Sequence, residues 1–393
     1  MIEALYPILS HAWGGLAVSA AVGVVGLLLV SVARWRGGWP VRWLGYLVAV
    51  TALLLTVGST KAMIGIWNAE RGFPPPGTLV DVGGFRMHIV AEGDAHGGPT
   101  LIWIAGAHAE GNAVYNFQKA FRGETRTIIF DRPGTGWSDP GPFPRRTALE
   151  AEELATLLER AGEHGPFILI GHSYGGLLAA NYARRHKDRT AAVVLLDATP
   201  PDAFVYAPLF GEPAARQGVL AARESGLMKA FGLYSKADRP AVPRDTMIAR
   251  IIRQQDSLLA DVRPAMNARA SNPASDFAWA SIFTEFTGSG MSAAAPDLVV
   301  YDGELNGIPV YVVVPEGGIE DQIGAFHLPD AVAKRALNFF ARSRLRYMQV
   351  SDKALLIHPP NGSSHNYPYE HPDFVIDVVR RVLAMARAMP AAP

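Results

Sequence analysis

The amino-acid sequence predicts an α/β fold, a mostly parallel sheet with helices on both faces, joined to an N-terminal pair of membrane-spanning helices. Three observations carry the prediction. Two long uncharged apolar runs fill most of the first sixty residues; from Thr78 onward short β-rich runs alternate with helical ones; and between Pro200 and Ile308 the alternation gives way to helical periodicity alone. Composition fits the same picture. With 393 residues, 49% of them hydrophobic and 18% charged, the chain can build an extensive core and is too apolar to stay disordered. Lys plus Arg equals Asp plus Glu at 36 each and no basic block stands out, so no nucleic-acid partner is expected. Cysteine is absent, which removes disulfides, thiolate metal sites and thiol nucleophiles.

No Asp, Glu, Lys or Arg occurs between Glu3 and Arg34, and residues 14–33 suffice, at about 1.5 Å of rise each, to cross ~30 Å of hydrocarbon. Residues 43–60 form a second uncharged run, closed by Lys61. A cleaved signal would need a positive segment ahead of one shorter apolar run, whereas this chain opens Met-Ile-Glu. The expectation is a two-pass hairpin over residues 1–70, seated in a lipid bilayer. Arg34, Arg36 and Arg42 lie in the short connection and should stay cytoplasmic, which puts both ends of the hairpin, and the bulk of the chain, on the periplasmic or extracellular side. Trp35, Trp39 and Trp43 beside them suit the interfacial belt. Residues 71–77, with three consecutive prolines, read as a stiff linker and a domain boundary.

Beyond the linker, strands over 78–82 and 85–91 flank the Gly83-Gly84 turn as a hairpin. Strands over 101–104, 126–130, 167–170 and 191–196 then alternate with helices over 112–121, 147–161 and 174–186. In the second of these helices Leu149, Leu154, Leu157, Leu158 and Ala161 recur at helical spacing. Residues 201–300 read as a helical lid inserted between sheet elements. Within it, Ile248, Ile251, Ile252, Leu258, Leu259 and Val262 make one apolar face of a helix over 246–262. Strands over 308–314 and 354–357, with helices over 330–341 and 373–388, complete a core made of residues 78–200 and 301–393.

The sharpest chemical signal is the run GHSYGG over 171–176, directly after a predicted strand and directly before a predicted helix. A serine on so tight a turn is lifted above the sheet edge, and the flanking glycines are needed where side chains would collide with strand and helix. Ser173 is thus the candidate nucleophile, and the Tyr174 N–H, at the start of the helix, a candidate oxyanion donor. A second donor should come from the glycine-bearing loop after the strand over 101–104, with Ala107 N–H the candidate. Serine needs a base. His365, in a loop between the last strand and the last helix, is the best placed of eleven histidines, ahead of His358 and His371, while His172 and His108 are read as pocket lining.

Residues 78–200 and the segment around His365 resemble the α/β-hydrolase superfamily. The runs FDRPGTGWSDP over 130–140, GHSYGG over 171–176 and SHN over 364–366 are similar to those of a bacterial, membrane-anchored branch of its serine hydrolases. The resemblance implies an eight-stranded, mostly parallel sheet, a Ser-His-acid triad, no metal or organic cofactor, and residence in a bacterial inner membrane. It also implies that the acid follows one of two strands. Asp197, at the end of the strand over 191–196, is favoured over Asp321 and over the glutamates Glu316 and Glu320, because a strand end positions a side chain more tightly than a Gly317-Gly318 loop. Many relatives carry His-Gly at the oxyanion loop where this chain has Ala105-Gly106, a departure of small effect for a backbone donor. Asp131 and Arg132 are read mainly as scaffolding of their loop.

Serine at position 173 selects acyl transfer, since the dehalogenases and epoxide hydrolases of this fold use a carboxylate there. The expected activity is hydrolysis of carboxylic esters, lipophilic ones given the anchor and the apolar lid. Two other readings stay open: an aminopeptidase or amidase on the same triad, and a non-hydrolytic membrane receptor or scaffold that retains the pocket.

Overall fold

A computed structural model describes residues 2–36, 38–107, 109–200, 211–234, 247–287, 297–316 and 330–388. A single helical turn, α1 (Tyr6–Leu9), precedes two apolar helices, α2 (Gly14–Arg36) and α3 (Trp39–Gly72). Both α2 and α3 are long and apolar enough to cross a membrane. At about 1.5 Å per residue they measure ~34 and ~51 Å. Small residues let their backbones approach closely: a β-carbon added at Gly45 would stand 2.8 Å from the Gly26 carbonyl oxygen.

The second helix outruns its expected span. It continues past Lys61 to Gly72, because no residue in between breaks a helix and Pro74 is the first that does. Its end is fastened to the sheet domain by the Trp137 indole, which donates to the Phe73 carbonyl at 2.8 Å. Residues 2–9 also depart from expectation. Instead of belonging to the hairpin they pack against the inserted helices, with Tyr6 and Leu9, three apart on one helical face, both fully buried. Tyr6 lies 5.6 and 5.1 Å, ring to ring, from Phe143 and Phe277, and accepts a hydrogen bond from Arg223 Nε at 2.8 Å.

The sheet has eight strands: β1 (Thr78–Asp81), β2 (Arg86–Glu92), β3 (Thr100–Ile104), β4 (Thr127–Phe130), β5 (Phe167–His172), β6 (Thr190–Leu196), β7 (Val310–Val313) and β8 (Ala354–Ile357). They lie in the order β1-β2-β4-β3-β5-β6-β7-β8. β2 runs antiparallel to both β1 and β4, and every other pair is parallel. Every residue of β3, β4 and β5 is buried, as near-continuous apolar strands covered on both faces must be. On one face Ile102, Leu169 and Val193 pack with Leu154 and Leu158 of α5 (Thr147–Arg160) and Leu178 of α6 (Tyr174–Arg185). On the other, Trp103, Ile168 and Val194 meet Phe117 and Phe121 of α4 (Tyr115–Phe121) and the far C-terminal helix.

Between β6 and β7 the described residues carry the helices α7 (Gly211–Ala230), α8 (Met247–Leu258), α9 (Arg263–Arg269) and α10 (Ala274–Glu285). The helix expected over 246–262 stops at Leu258, and α9 restarts with a proline in its first turn. After β7 come α11 (Asp330–Ser343), a short 3-10 helix (Arg344–Met348), β8, α12 (Tyr367–Glu370) and α13 (Pro372–Ala388).

Candidate active site

The carboxyl ends of β3, β4, β5, β6 and β8 share one rim, the place where parallel sheets of this kind present binding groups. Ser173 sits at the rim's centre, between the end of β5 and the first residue of α6. Its backbone is left-handed, φ +55° and ψ −124°. The glycines around it leave no room for alternatives. A β-carbon at Gly171 would overlap the Gly175 carbonyl, one at Gly175 would overlap the Ile104 carbonyl, and one at Gly176 would overlap Ala198. The turn is tied down from the next strand, since Ser173 N–H donates to Leu196 O at 3.1 Å and Thr199 N–H donates to Ser173 O at 2.9 Å.

Asp197 follows β6 and has a left-handed backbone too, φ +41°. Its carboxylate is buried and shared. Oδ2 accepts from His365 Nδ1 at 2.7 Å, and Oδ1 accepts from an Arg344 guanidinium nitrogen at 3.0 Å. Burial pushes this carboxyl up, but the His365 hydrogen bond and the Arg344 charge outweigh it and hold Asp197 below the usual carboxylate range. Nδ1 is thus the ring nitrogen that His365 gives to the carboxylate.

His365 is brought against the nucleophile turn by His172, the residue before Ser173. The His172 Nε2–H donates to the His365 carbonyl at 2.9 Å, and the two rings lie 4.8 Å apart. Burial, aided by the neighbouring His365, depresses the His172 imidazole to about 4, so it is neutral at ordinary pH. His172 is thus a buried strut holding the His365 loop. His358 is engaged elsewhere, its Nδ1 donating to Val314 O at 2.8 Å. His371 ends α12.

The loop after β3 closes over the turn: a β-carbon at Gly106 would stand 3.5 Å from that of Ser173. Ala107 packs in the apolar cluster that contains Tyr174 and Leu177. Arg132 holds the loop from behind, donating to Gly106 O at 2.7 Å, and its guanidinium lies 5.0 Å from the centre of the Tyr174 ring. Asp131 is the hub of that support. It accepts from Gly111 N–H at 2.6 Å, from Trp137 N–H at 2.9 Å and from His88 Nδ1 at 2.8 Å. Glu110, in the same loop, is pushed to about 8 by burial and by the nearby Asp131 charge. It is therefore largely protonated at neutral pH and adds little negative charge beside the rim.

Of the residues singled out from sequence, the fold gathers Ser173, Tyr174, His172, Ala107, Asp197 and His365 at one rim. His108, Glu320 and Asp321 lie outside the described residues, and Glu316 is exposed after β7. Arg344 was not foreseen. Nothing in a run of arginines after a helix distinguishes the one that turns inward, and only the fold reveals its partner. Among the described residues no cluster of His, Asp and Glu suited to a metal ion occurs.

Residues 95–378, well over half of the chain, match the model of the alpha/beta hydrolase family. Lipase LipV of Mycobacterium tuberculosis is 34% identical over 113 residues, 26% of this chain and 40% of that protein. A 1-acylglycerol-3-phosphate O-acyltransferase of Arabidopsis thaliana is 28% identical over 182 residues, 42% of this chain and 43% of that one. The chain spans less than half the length of the curated relatives it matches. Among solved structures, a thermophilic esterase from Thermogutta terrifontis superposes with a TM-score of 0.50 at 20% identity, covering 79% of this chain and 97% of the esterase. An epoxide hydrolase from Bacillus megaterium superposes with a TM-score of 0.54 at 14% identity, covering 78% and 100%. At such identities the superpositions speak for the fold alone. Together with the family match and the eight-stranded sheet, they show that the chain belongs to the alpha/beta hydrolase family.

Proposed function

We propose that the protein is a serine hydrolase that cleaves lipophilic carboxylic esters through an acyl-enzyme on Ser173. The observation that carries this reading is the pair of His365 with the buried Asp197, held by His172 against a serine whose strained turn lifts its hydroxyl to the rim. His365 Nε2 takes the Ser173 proton, and the Ser173 oxygen bonds to the ester carbonyl carbon. Asp197 keeps the ring in its Nδ1–H tautomer and stabilises the imidazolium that forms. The Tyr174 and Ala107 N–H groups receive the oxyanion, the first with help from the positive end of α6. His365 returns the proton to the departing alcohol, and a second cycle with water releases the acid.

Serine rather than a carboxylate at position 173 separates this reading from the epoxide hydrolase that shares the fold. The acyltransferase relative suggests that an alcohol can replace water in the second half, which leaves the acyl-enzyme unchanged. Two apolar helices beside the domain support a membrane anchor, with the catalytic domain on the side away from Arg34, Arg36 and Arg42, and a lipophilic substrate concentrated nearby. A fluorophosphonate should label Ser173. Turnover of a p-nitrophenyl ester should fall by about 10⁵-fold or more in Ser173→Ala. An unlabelled protein with no turnover would favour a receptor, and faster cleavage of proline amides than of esters would favour an aminopeptidase.

A further inference from the structure

The insertion over the rim touches the apolar hairpin at a defined level. Gly15 and Gly58, one on each helix, have no space for a side chain because the carbonyls of Ala230 and Phe231 lie against them, and Gly232 abuts Gly58 in turn. These residues form the corner at the end of α7. Gly58 is inside the uncharged stretch of α3, three residues and about 4.5 Å of helix rise before Lys61, the first charge after Arg42. Charge near the corner is neutralised: Lys229 donates to Asp276 of α10 at 2.6 Å. Apolar side chains are exposed on both partners of this contact: Trp13, two residues before Gly15, at 47%, Val57, next to Gly58, at 64%, and Leu233, next to Gly232, at 58%. Tyr234 follows, its ring 5.4 Å from Lys229 Nζ, as suits an interfacial aromatic. On the other side, α7 is clamped to α10, where Gly218 and Gly226 lie against the rings of Phe283 and Phe277.

We propose that the corner Phe231–Gly232–Leu233 is seated among the lipids of the leaflet that holds the outer end of the hairpin, so that this edge of the insertion is solvated by lipid rather than water. The inference rests on the reading that the hairpin spans a bilayer, and the partner is the glycerol and upper acyl region of that leaflet. The insertion then has a fixed depth. Lipid, not bulk water, borders the corner through which α7 joins the hairpin, and an ester dissolved in the leaflet lies beside the insertion before it reaches the rim.

The absence of cysteine makes the test direct, because a single introduced thiol takes all the label. Leu233→Cys, Trp13→Cys, Val50→Cys and Leu355→Cys variants of the full chain, carrying an environment-sensitive fluorophore in nanodiscs, are compared with and without acyl-brominated lipid. Val50 is 56% exposed at mid-hairpin and Leu355 is 55% exposed on the edge strand β8. The expected result is a blue-shifted emission that loses most of its intensity to brominated lipid at positions 233, 13 and 50, with none lost at 355. Quenching at 50 but not at 233 overturns the proposal and leaves the membrane hairpin standing. No quenching at 50 overturns the hairpin reading and the proposal with it.

Discussion

The hairpin and the sheet domain are built inside out with respect to each other. In the sheet domain Leu, Ile, Val and Phe are interior, as Leu157, Ile168, Val194 and Phe117 illustrate, all at 1% exposure or less. In the hairpin the residues turned inward are mostly small, Ser19, Gly26, Ala33, Gly45, Ala52 and Ser59 among them, with Val30 and Ile66 the large exceptions, while Leu27, Leu47 and Leu54 stand 63%, 64% and 69% exposed. Water drives the first arrangement. If the hairpin spans a bilayer as proposed, the hydrocarbon around it gives leucine no reason to hide, and close backbone approach through small residues holds the second together. A further contrast concerns polar groups: beside the rim Asp197 accepts two directed bonds and Asp131 three, whereas Ser19, Thr56 and Thr60 of the hairpin return their hydroxyls to carbonyls of their own helix.

If the rim is the region where direction matters, Asp197→Asn should be the most damaging change after loss of the nucleophile. It keeps the shape and offers His365 an amide, so kcat for a soluble ester should fall by about 10³- to 10⁴-fold, and thermal stability should fall too, because the buried Arg344 guanidinium loses its counter-charge. Equal activity in the Asn variant would remove Asp197 from the chemistry. Arg344→Met should lower kcat/KM by roughly tenfold, and Arg344→Lys should recover part of it. Arg344→Met should also move acid unfolding. A carboxyl held below its ordinary range contributes stability that is present at neutral pH and is lost as pH falls through its folded-state value. Without the Arg344 charge Asp197 protonates more easily, and the unfolding midpoint in a pH titration should shift upward.

On the apolar side the comparison is sharpened by Gly45→Leu, which is harmless by hydropathy and wrong by shape. The new side chain meets Val30 and the Gly26 carbonyl, so the two helices should separate, at a cost of about 1–3 kcal/mol, read as easier proteolysis of the hairpin in detergent. Leu47→Val on the outer surface should leave that digest unchanged. The smallest expected effect is where the helical insertion joins the sheet domain. Glu285 of α10 accepts from the N–H and hydroxyl of Thr147, at 3.0 and 2.8 Å. Burial, the largest influence, raises it to about 7, with repulsion from Glu150 adding to the rise and the Thr147 bonds opposing it. A raised folded-state value means stability that is complete below its ordinary range and is lost as pH rises towards 7. Melting temperature should therefore fall across that interval, and Glu285→Gln should flatten the slope by about 3 °C.

Much of this was readable in the residues because it depends on local pattern. The eight strands, the turn around Ser173 and the two apolar runs each follow from spacing within a short window. The loop of His365 followed from its place in the order of elements. What escaped depends on where distant segments land. Arg344 is 147 residues from Asp197, Trp137 is 64 from Phe73, and Tyr6 is 217 from Arg223, and no periodicity links such pairs. The extra length of α3 escaped for a different reason. An apolar window registers the part of a helix that suits lipid and is silent on the polar turns that continue it into the domain.

The backbone at residue 173 also acts as a filter on amino-acid identity. At φ +55° a β-branched side chain crowds its own carbonyl and the preceding peptide, so threonine is unwelcome despite carrying the same hydroxyl. Unbranched serine, or a short acid, tolerates the post. Geometry therefore shortens the roster of possible attackers before reactivity is consulted, and a family sharing this bend can exchange one kind of bond-making for another only through the few side chains slim enough to stand there.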